Sequence, residues 1–500
     1  MGMSEKTVAI IGGGIAGLTA GCYLQMNGYK TRIFELHALP GGMCTAWKRK
    51  GYTFDFCIHW LVGSAPPNGF YNLWNELIDM NALEVYDFEE YIRVEGDKGQ
   101  MLRVLTDVDR FENEMLRVAP EDRQQIKSLT NAVRKFTSLP MPVDKAPELY
   151  SFSDGMKLLV KFLPYIGAMR KWGKITAEDF AARCKNHLLK KAILHVFLPE
   201  CPMIFILFTL AWMHQKVAGY PIGGSLNFTR LIEEKYKKLG GSITYNARVE
   251  KITVKDNNAS GVVLQNGESI PSDIVISAAD GYSTIFHMLD GKFINDEIAG
   301  YYSNMKTFPS LVQVSLGVSR SFKDAPGYLV FPLENPIYID ETSKIDNLHV
   351  RIFNFDPTLS PEGKTSLVSV IGTRNYSYWM DLRENDRKKY NREKKRIAHE
   401  VIDALQKRFG DIKSKVEVYD VSTPATIIRY TNSWKGSFEG WLPTANNFTG
   451  RMKKELPGLS NFFMVGQWVE PGGGLPPAIM SGRGAAQIIC KRDGKTFTTS

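Results

Sequence analysis

A run of six residues, Gly12-Gly13-Gly14-Ile15-Ala16-Gly17, constrains the fold of this chain more than any other. It follows the β-branched stretch Thr7-Val8-Ala9-Ile10-Ile11 and precedes Leu18 to Met26, which reads as a helix. Gly12, Gly14 and Gly17 therefore satisfy G-x-G-x-x-G between a strand and a helix. Each glycine has its own reason to be there. Gly12 permits the tight turn, Gly14 lets the backbone approach a pyrophosphate, and Gly17 lets the helix pack close to the strand. The helix N-terminus then offers free N–H groups and a positive dipole end to phosphates. Lys30 to Phe34 reads as a second strand and ends on Glu35, 18 residues beyond Gly17. A carboxylate there accepts hydrogen bonds from ribose hydroxyls and repels a 2′-phosphate, so the site suits FAD or NAD rather than NADP.

A glycine pair follows closely, in Glu35-Leu36-His37-Ala38-Leu39-Pro40-Gly41-Gly42-Met43. The next segment is Gly51-Tyr52-Thr53-Phe54-Asp55. Near the C-terminus, Phe462-Phe463-Met464-Val465-Gly466 precedes Pro471-Gly472-Gly473-Gly474-Leu475-Pro476-Pro477. On these residues the chain resembles the FAD-binding amine oxidase and phytoene desaturase superfamily. Within it, the C-terminal run resembles that of bacterial-type phytoene desaturases, carotenoid cis–trans isomerases and retinol saturases. With further matches over Thr244 to Asp280, the resemblance spans the whole chain.

The resemblance implies an extended, non-covalently bound FAD. Its pyrophosphate would lie over Gly12, Gly14, Ile15, Ala16 and Gly17, where the glycine pair Gly41-Gly42, with Met43, crosses it. Glu35, with Leu36 beside it, would take the ribose, and the backbone at Val249 the adenine end. Gly466, Gly473, Gly474 and Pro477 would close around the flavin, and the strand over 51–55 would lead to its ring. The helix expected from Pro477 to Cys490 would point its positive end at charge developing on reduced flavin.

The fold class that follows is α/β: a Rossmann-like FAD-binding domain, discontinuous in sequence, with an inserted mixed α+β substrate domain. Residues 1–64, 219–282 and 442–500 are assigned to the FAD domain, and 65–218 and 283–441 to the substrate domain. Ser225 to Leu239 reads as a helix ended by Gly240-Gly241. A single dinucleotide fingerprint argues against a separate NAD(P) domain. The six cysteines are scattered and form no C-x-x-C, which fits reduced thiols, a cytoplasmic setting and no zinc site. The formal charge of +9 is spread among acids and matches no nucleic-acid module; it is compatible with an anionic membrane surface.

No apolar run reaches the roughly 20 residues that span a bilayer. Pro202 to Met213 reads as a core helix, a tunnel wall or an interfacial segment. Ser153 to Lys174 is basic and apolar by turns, with Phe162 and Trp172 among its aromatics and interruptions at Pro164 and Gly167. It reads either as an interfacial helix, peripheral on the inner face of the membrane, or as a substrate-domain helix with its apolar face in the core.

Flavin supplies its own redox chemistry, so acid and base side chains are secondary. Two candidates stand out. His59, after the strand ending at Asp55, can exchange protons near neutral pH or can be structural. Glu470 sits in the C-terminal motif, where phytoene desaturases carry a histidine; it is an acid/base if burial raises its pKa, and otherwise a structural contact. Asp55 reads as an anchor for its turn. There is no G-x-S-x-G elbow, metal-ligand spacing or P-loop. The expected substrate is a hydrophobic unsaturated molecule, such as a carotenoid, other isoprenoid or fatty acyl chain. The expected reaction is hydride transfer at a carbon–carbon bond, as desaturation or saturation. The alternatives are redox-neutral cis–trans isomerisation, amine oxidation, and a non-catalytic lipid carrier.

Overall fold

The computed structural model describes residues 5–446, 451–470 and 472–500. Pro471, part of the C-terminal run singled out above, lies outside them. Among the described residues, five parallel strands form one sheet. Their order is Ser242–Thr244, Lys30–Phe34, Thr7–Ile11, Ile274–Ser277 and Phe462–Met464. The central strand is flanked on both edges, which is why Val8 to Ile11 are all apolar or small and buried. Three distant stretches of sequence thus meet in one sheet. Helix Ile15–Met26 packs against helix Leu475–Arg492 and helix Gly224–Lys238.

A second sheet is mixed. Its order is Val416–Ser422, Ser310–Val318, Thr365–Thr373, Lys344–Ile352, Tyr328–Tyr338, Glu90–Glu95 and Met101–Leu105. It joins strands from both stretches assigned to the substrate domain. Alternation along each strand gives its two faces different jobs. Val312, Val314, Leu348 and Val350 bury against Ile397, Val401 and Leu405 of helix Arg387–Phe409. The opposite face carries Leu311, Ile345, Asn347, His349 and Val370 towards the dinucleotide-binding half.

Two helices differ in how they use apolar residues. Met203–His214, from the most apolar stretch, is buried in the core around helices Arg123–Phe136 and His187–Val196. Phe152–Phe162 begins with a capping box on Ser151 and Asp154, yet none of its residues is buried. Phe152 is 87% exposed and Val160 66%. The core reading of this segment therefore does not hold for its first helix. No helix among the described residues is long and apolar enough to cross a membrane.

Candidate active site

The turn after the first strand has the geometry its glycines predict. Gly12 has φ +96°, and its N–H donates to the Phe34 carbonyl at 2.8 Å. A Cβ on Gly17 would sit 2.1 Å from the Gly12 carbonyl oxygen. Only hydrogen allows the helix to start so close to the strand. Gly14 is different: a Cβ there would meet nothing nearer than the Gly41 oxygen at 3.7 Å. Its space in the protein is free, as a position facing a ligand requires. The glycine pair crosses this turn, with Gly41 N–H donating to the Gly13 carbonyl at 2.9 Å.

Glu35 is buried beneath the turn. One carboxylate oxygen accepts from Gly13 N–H at 2.6 Å and the other from His37 N–H at 2.7 Å. Burial pushes its pKa up, and these two N–H groups oppose the shift. The acid thus ties the phosphate turn to the segment that leads to Gly41. The next strand crossing is locked to it, because Ala247 N–H donates to the Glu35 carbonyl.

A cavity of about 1090 Å³ runs from this turn to the second sheet. Every cofactor-binding residue named from the sequence lines it, except Gly17, which lies behind the turn. The cavity passes Gly466, Gly473 and Gly474 and the N-terminal turn of helix Leu475–Arg492. It then opens into an apolar chamber walled by Phe205, Phe208, Trp212 and Phe308. A glycine turn at a helix N-terminus, a buried acid beneath it and a glycine-lined slot leading to an apolar chamber have the shape an extended nucleotide cofactor needs, with its reactive end towards an apolar space.

His59 lines the cavity. Burial, together with the nearby Arg351 guanidinium, pulls its pKa well below the usual histidine range. It is therefore a neutral imidazole at physiological pH. Asp55 does not line the cavity. Its carboxylate accepts from Ser225 N–H at 2.6 Å and Ser225 Oγ–H at 2.7 Å, joining its strand to the start of helix Gly224–Lys238. Burial lifts it to about 6.

Glu470 also reaches the cavity wall but is not a free acid. Lys454 Nζ lies 3.1 Å from one of its oxygens and Arg451 Nε 3.5 Å from the other. Lys454 is itself buried and bridges on to Glu148 at 2.9 Å. The expectation of a structural contact describes this geometry better than that of an acid/base.

Two features were missed in the sequence. Glu439 lines the cavity beside the closing motif and has no hydrogen-bond partner among the described residues. Burial alone raises its pKa from 4.5 to about 7. Its surroundings, Ser437-Phe438-Glu439-Gly440-Trp441, match no catalytic motif; the one available signal was an acid set among aromatic residues. The other is a hydrogen-bonded chain across the second sheet. Tyr328 Oη lies 2.8 Å from His349 Nδ1, and His349 Nε2 lies 2.9 Å from His195 Nδ1. Its members lie 154 and 21 residues apart in sequence, beyond the reach of spacing arguments.

The chain is similar over nearly its whole length to known proteins. It is 26% identical to prolycopene isomerase 1 of an Oncidium hybrid cultivar, covering 96% of this chain and 82% of that protein. It is 24% identical to a 4,4'-diapophytoene desaturase of Methylomonas sp., covering 99% and 97%. The fold matches the crystal structure of an oxidoreductase from Methanosarcina mazei with a TM-score of 0.61 at 15% identity, covering 96% of this chain and all of that one. The family model described as flavin containing amine oxidoreductase matches residues 15–490. The chain therefore belongs to the flavin-containing amine oxidoreductase family.

Proposed function

We propose that this protein binds FAD non-covalently and forms or removes a carbon–carbon double bond in a hydrophobic, isoprenoid-like substrate. One observation carries the reading: a single cavity joins the dinucleotide turn to an apolar chamber and holds a carboxylate, Glu439, that has no partner among the described residues, beside Gly473 and Gly474. The ribose position taken by Glu35 supports FAD rather than a phosphorylated dinucleotide. Residues 466–477 contain no cysteine, histidine or tyrosine to bond the flavin covalently, which supports a non-covalent cofactor.

Bound flavin supplies a hydride acceptor or donor. Desaturation also requires a proton to leave the neighbouring carbon, and Glu439 is the group available to receive it. In saturation the same carboxyl, protonated, returns that proton. His59 and the aromatic walls exclude water from the reacting carbons. Glu470, neutralised by Lys454 and Arg451, fixes the closing motif instead of moving protons.

The relatives named as an isomerase and a desaturase support a carotenoid-like substrate and keep redox-neutral isomerisation as the second reading. Amine oxidation has less support. Tyr282, Tyr302, Trp434, Trp441 and Trp468 cluster together, but of these Trp468 alone lines the cavity. A substrate of this kind is collected from lipid, and helix Phe152–Phe162 supports peripheral membrane contact, on the cytoplasmic face. Its exposed Phe152, Met156, Leu159 and Val160, with Leu163 just beyond, alternate with Lys157 and Lys161. Helix Ile166–Gly173 continues from it and packs on Met203–His214, which walls the chamber.

The test compares lipid extracts of cells making this protein with those making Gly14→Val, by untargeted mass spectrometry. A product differing by one pair of hydrogens supports the proposal. A product of equal mass but altered retention favours isomerisation. An unchanged lipid profile overturns both.

A further inference from the structure

Besides Thr209, His59 and Glu439, a further polar group interrupts the apolar lining of the chamber. On strand Lys344–Ile352, Ile345, Asn347 and His349 project from the same face by the two-residue period of a strand. His349 is the middle of the chain Tyr328–His349–His195, all three of whose residues line the cavity. Among the described residues, the Asn347 carboxamide and His195 Nε2 make no hydrogen bond, so each has capacity left for a ligand. Leu194, Phe205 and Trp212 line the cavity with them.

The proton arrangement of this chain has two neutral forms. In one, Tyr328 O–H donates to His349 Nδ1, His349 Nε2–H donates to His195 Nδ1, and His195 Nε2 is left as a donor. In the other, every bond reverses, and His195 Nε2 is left as an acceptor. Either form is reached with no change of charge. The free end can therefore donate to a carbonyl oxygen or pair with a hydroxyl in either sense. Asn347 adds a donor and an acceptor beside it.

Charge is absent from the free end. Burial holds His195 down to about 4 and His349 to about 3, with Lys191 contributing to both. Lys191 itself is turned away, donating to the Glu95 carbonyl at 2.8 Å. At this end an anionic ligand would find two neutral rings and an amide and would lose its hydration for little return, the Arg351 guanidinium lying at the far end of the chain, 5.3 Å from the Tyr328 ring centroid.

We propose that His195, Asn347 and the chain behind them form a subsite for an uncharged oxygen function, a hydroxyl or carbonyl, on an otherwise hydrocarbon substrate. The inference rests on the reading of the chamber as an isoprenoid site and narrows its substrate class. A purely hydrocarbon end would leave these polar groups unpaired in an apolar wall.

The test uses the flavin-loaded protein and three probes: farnesol, its 1-deoxy hydrocarbon, and farnesoic acid. Binding is read by quenching of tryptophan fluorescence, with Trp60 and Trp212 in the cavity wall as reporters. Farnesol should bind roughly 10-fold tighter than the hydrocarbon, and tighter than the acid. His195→Leu and Asn347→Leu should bring farnesol towards the hydrocarbon while leaving hydrocarbon binding and the flavin absorbance unchanged; Tm should hold in Asn347→Leu and fall somewhat in His195→Leu, which strips His349 Nε2 of its partner. His195→Gln, which keeps a donor and an acceptor, should retain the preference. Equal affinity for farnesol and hydrocarbon overturns the subsite and leaves the isoprenoid reading standing. Tighter binding of the acid overturns it in favour of an anion site. Failure of all three probes to bind overturns the isoprenoid reading and the subsite together.

Discussion

Glu439 packs directly on Gly473: a Cβ added to that glycine would lie 2.5 Å from the Glu439 Cβ and 2.6 Å from its Oε2. The acid and the closing flavin motif are therefore one unit, and each limits what the other can be. The absent side chain at Gly473 makes room for a carboxyl that burial holds at about 7. Such a group suits proton transfer near neutral pH.

Glu439→Gln should keep the flavin and fold but lose about 10²–10⁴-fold in turnover. In the desaturation direction the base must be ionised, so the wild-type rate should rise with pH through about 7. In the saturation direction the acid must be protonated, so the rate should fall through the same point. Either limb should vanish in the variant. The sign for stability is fixed as well. The folded pKa is above the ordinary 4.5, so the stabilising contribution is full below that value and is lost as pH rises through about 7. Steady-state rates and thermal melts across pH 4–9 measure both. An unchanged rate in the Gln variant would remove Glu439 from the chemistry.

The three glycines of the first turn should separate by experiment into structural and ligand-facing positions. Gly17→Ala places a methyl 2.1 Å from the Gly12 carbonyl, so helix and strand must part. It should cost about 3 kcal/mol or more, read as a lower Tm in apoprotein and holoprotein alike. Gly14→Ala meets nothing nearer than 3.7 Å. It should melt like wild type as apoprotein but carry much less flavin, read from the absorbance ratio of flavin to protein. Equal flavin content in Gly14→Ala and wild type would show that the pyrophosphate does not approach there.

The dinucleotide half of the site was legible because its signals are local. Turn, helix and acid all lie within residues 12–35, and the fold brings Glu35 directly beneath the turn, where it accepts from Gly13 N–H. The substrate half was not, because it is assembled from distant strands. His349 meets His195 only after two stretches of chain join the second sheet, and Glu439 acquires its character from burial, which no motif encodes. Glu470 stayed open between an acid/base and a structural contact for a related reason. An acid beside a flavin motif looks catalytic until Lys454 and Arg451, folded in from 16 and 19 residues upstream, occupy its oxygens.

Lys454 is 3% exposed and stands between Glu470 and Glu148. Lys454→Met would leave the buried Glu470 with Arg451 alone, at 3.5 Å. Removing one partner of a buried pair typically costs 3–5 kcal/mol, so Tm should fall by several degrees. Lys454→Met with Glu470→Gln should recover much of that loss, since the charges left unpaired, Glu148 and Arg451, are part-exposed and can be hydrated. Thermal melts of the three variants decide it. Were Glu470 instead a proton-transferring group, Glu470→Gln alone would abolish turnover with the melt unchanged.

The exposed face of helix Phe152–Phe162 should govern membrane binding and not folding. Its apolar side chains contact no core, so replacing them removes no packing. Seated in a bilayer interface, each large apolar side chain contributes about 1.5–3 kcal/mol when fully buried, and about half that when partly immersed. Leu159→Glu with Val160→Glu should therefore reduce binding to lipid vesicles by at least 10-fold while leaving Tm and flavin content unchanged. Lys157→Ser with Lys161→Ser should weaken binding to anionic vesicles and leave neutral vesicles little affected, because those lysines act through charge. High salt should reproduce the lysine effect and not the glutamate one. Co-sedimentation with vesicles of each type measures all four cases. Wild-type binding by the double glutamate variant would mean that another surface meets the membrane, and that the apolar residues from Phe152 to Leu163 serve a different contact.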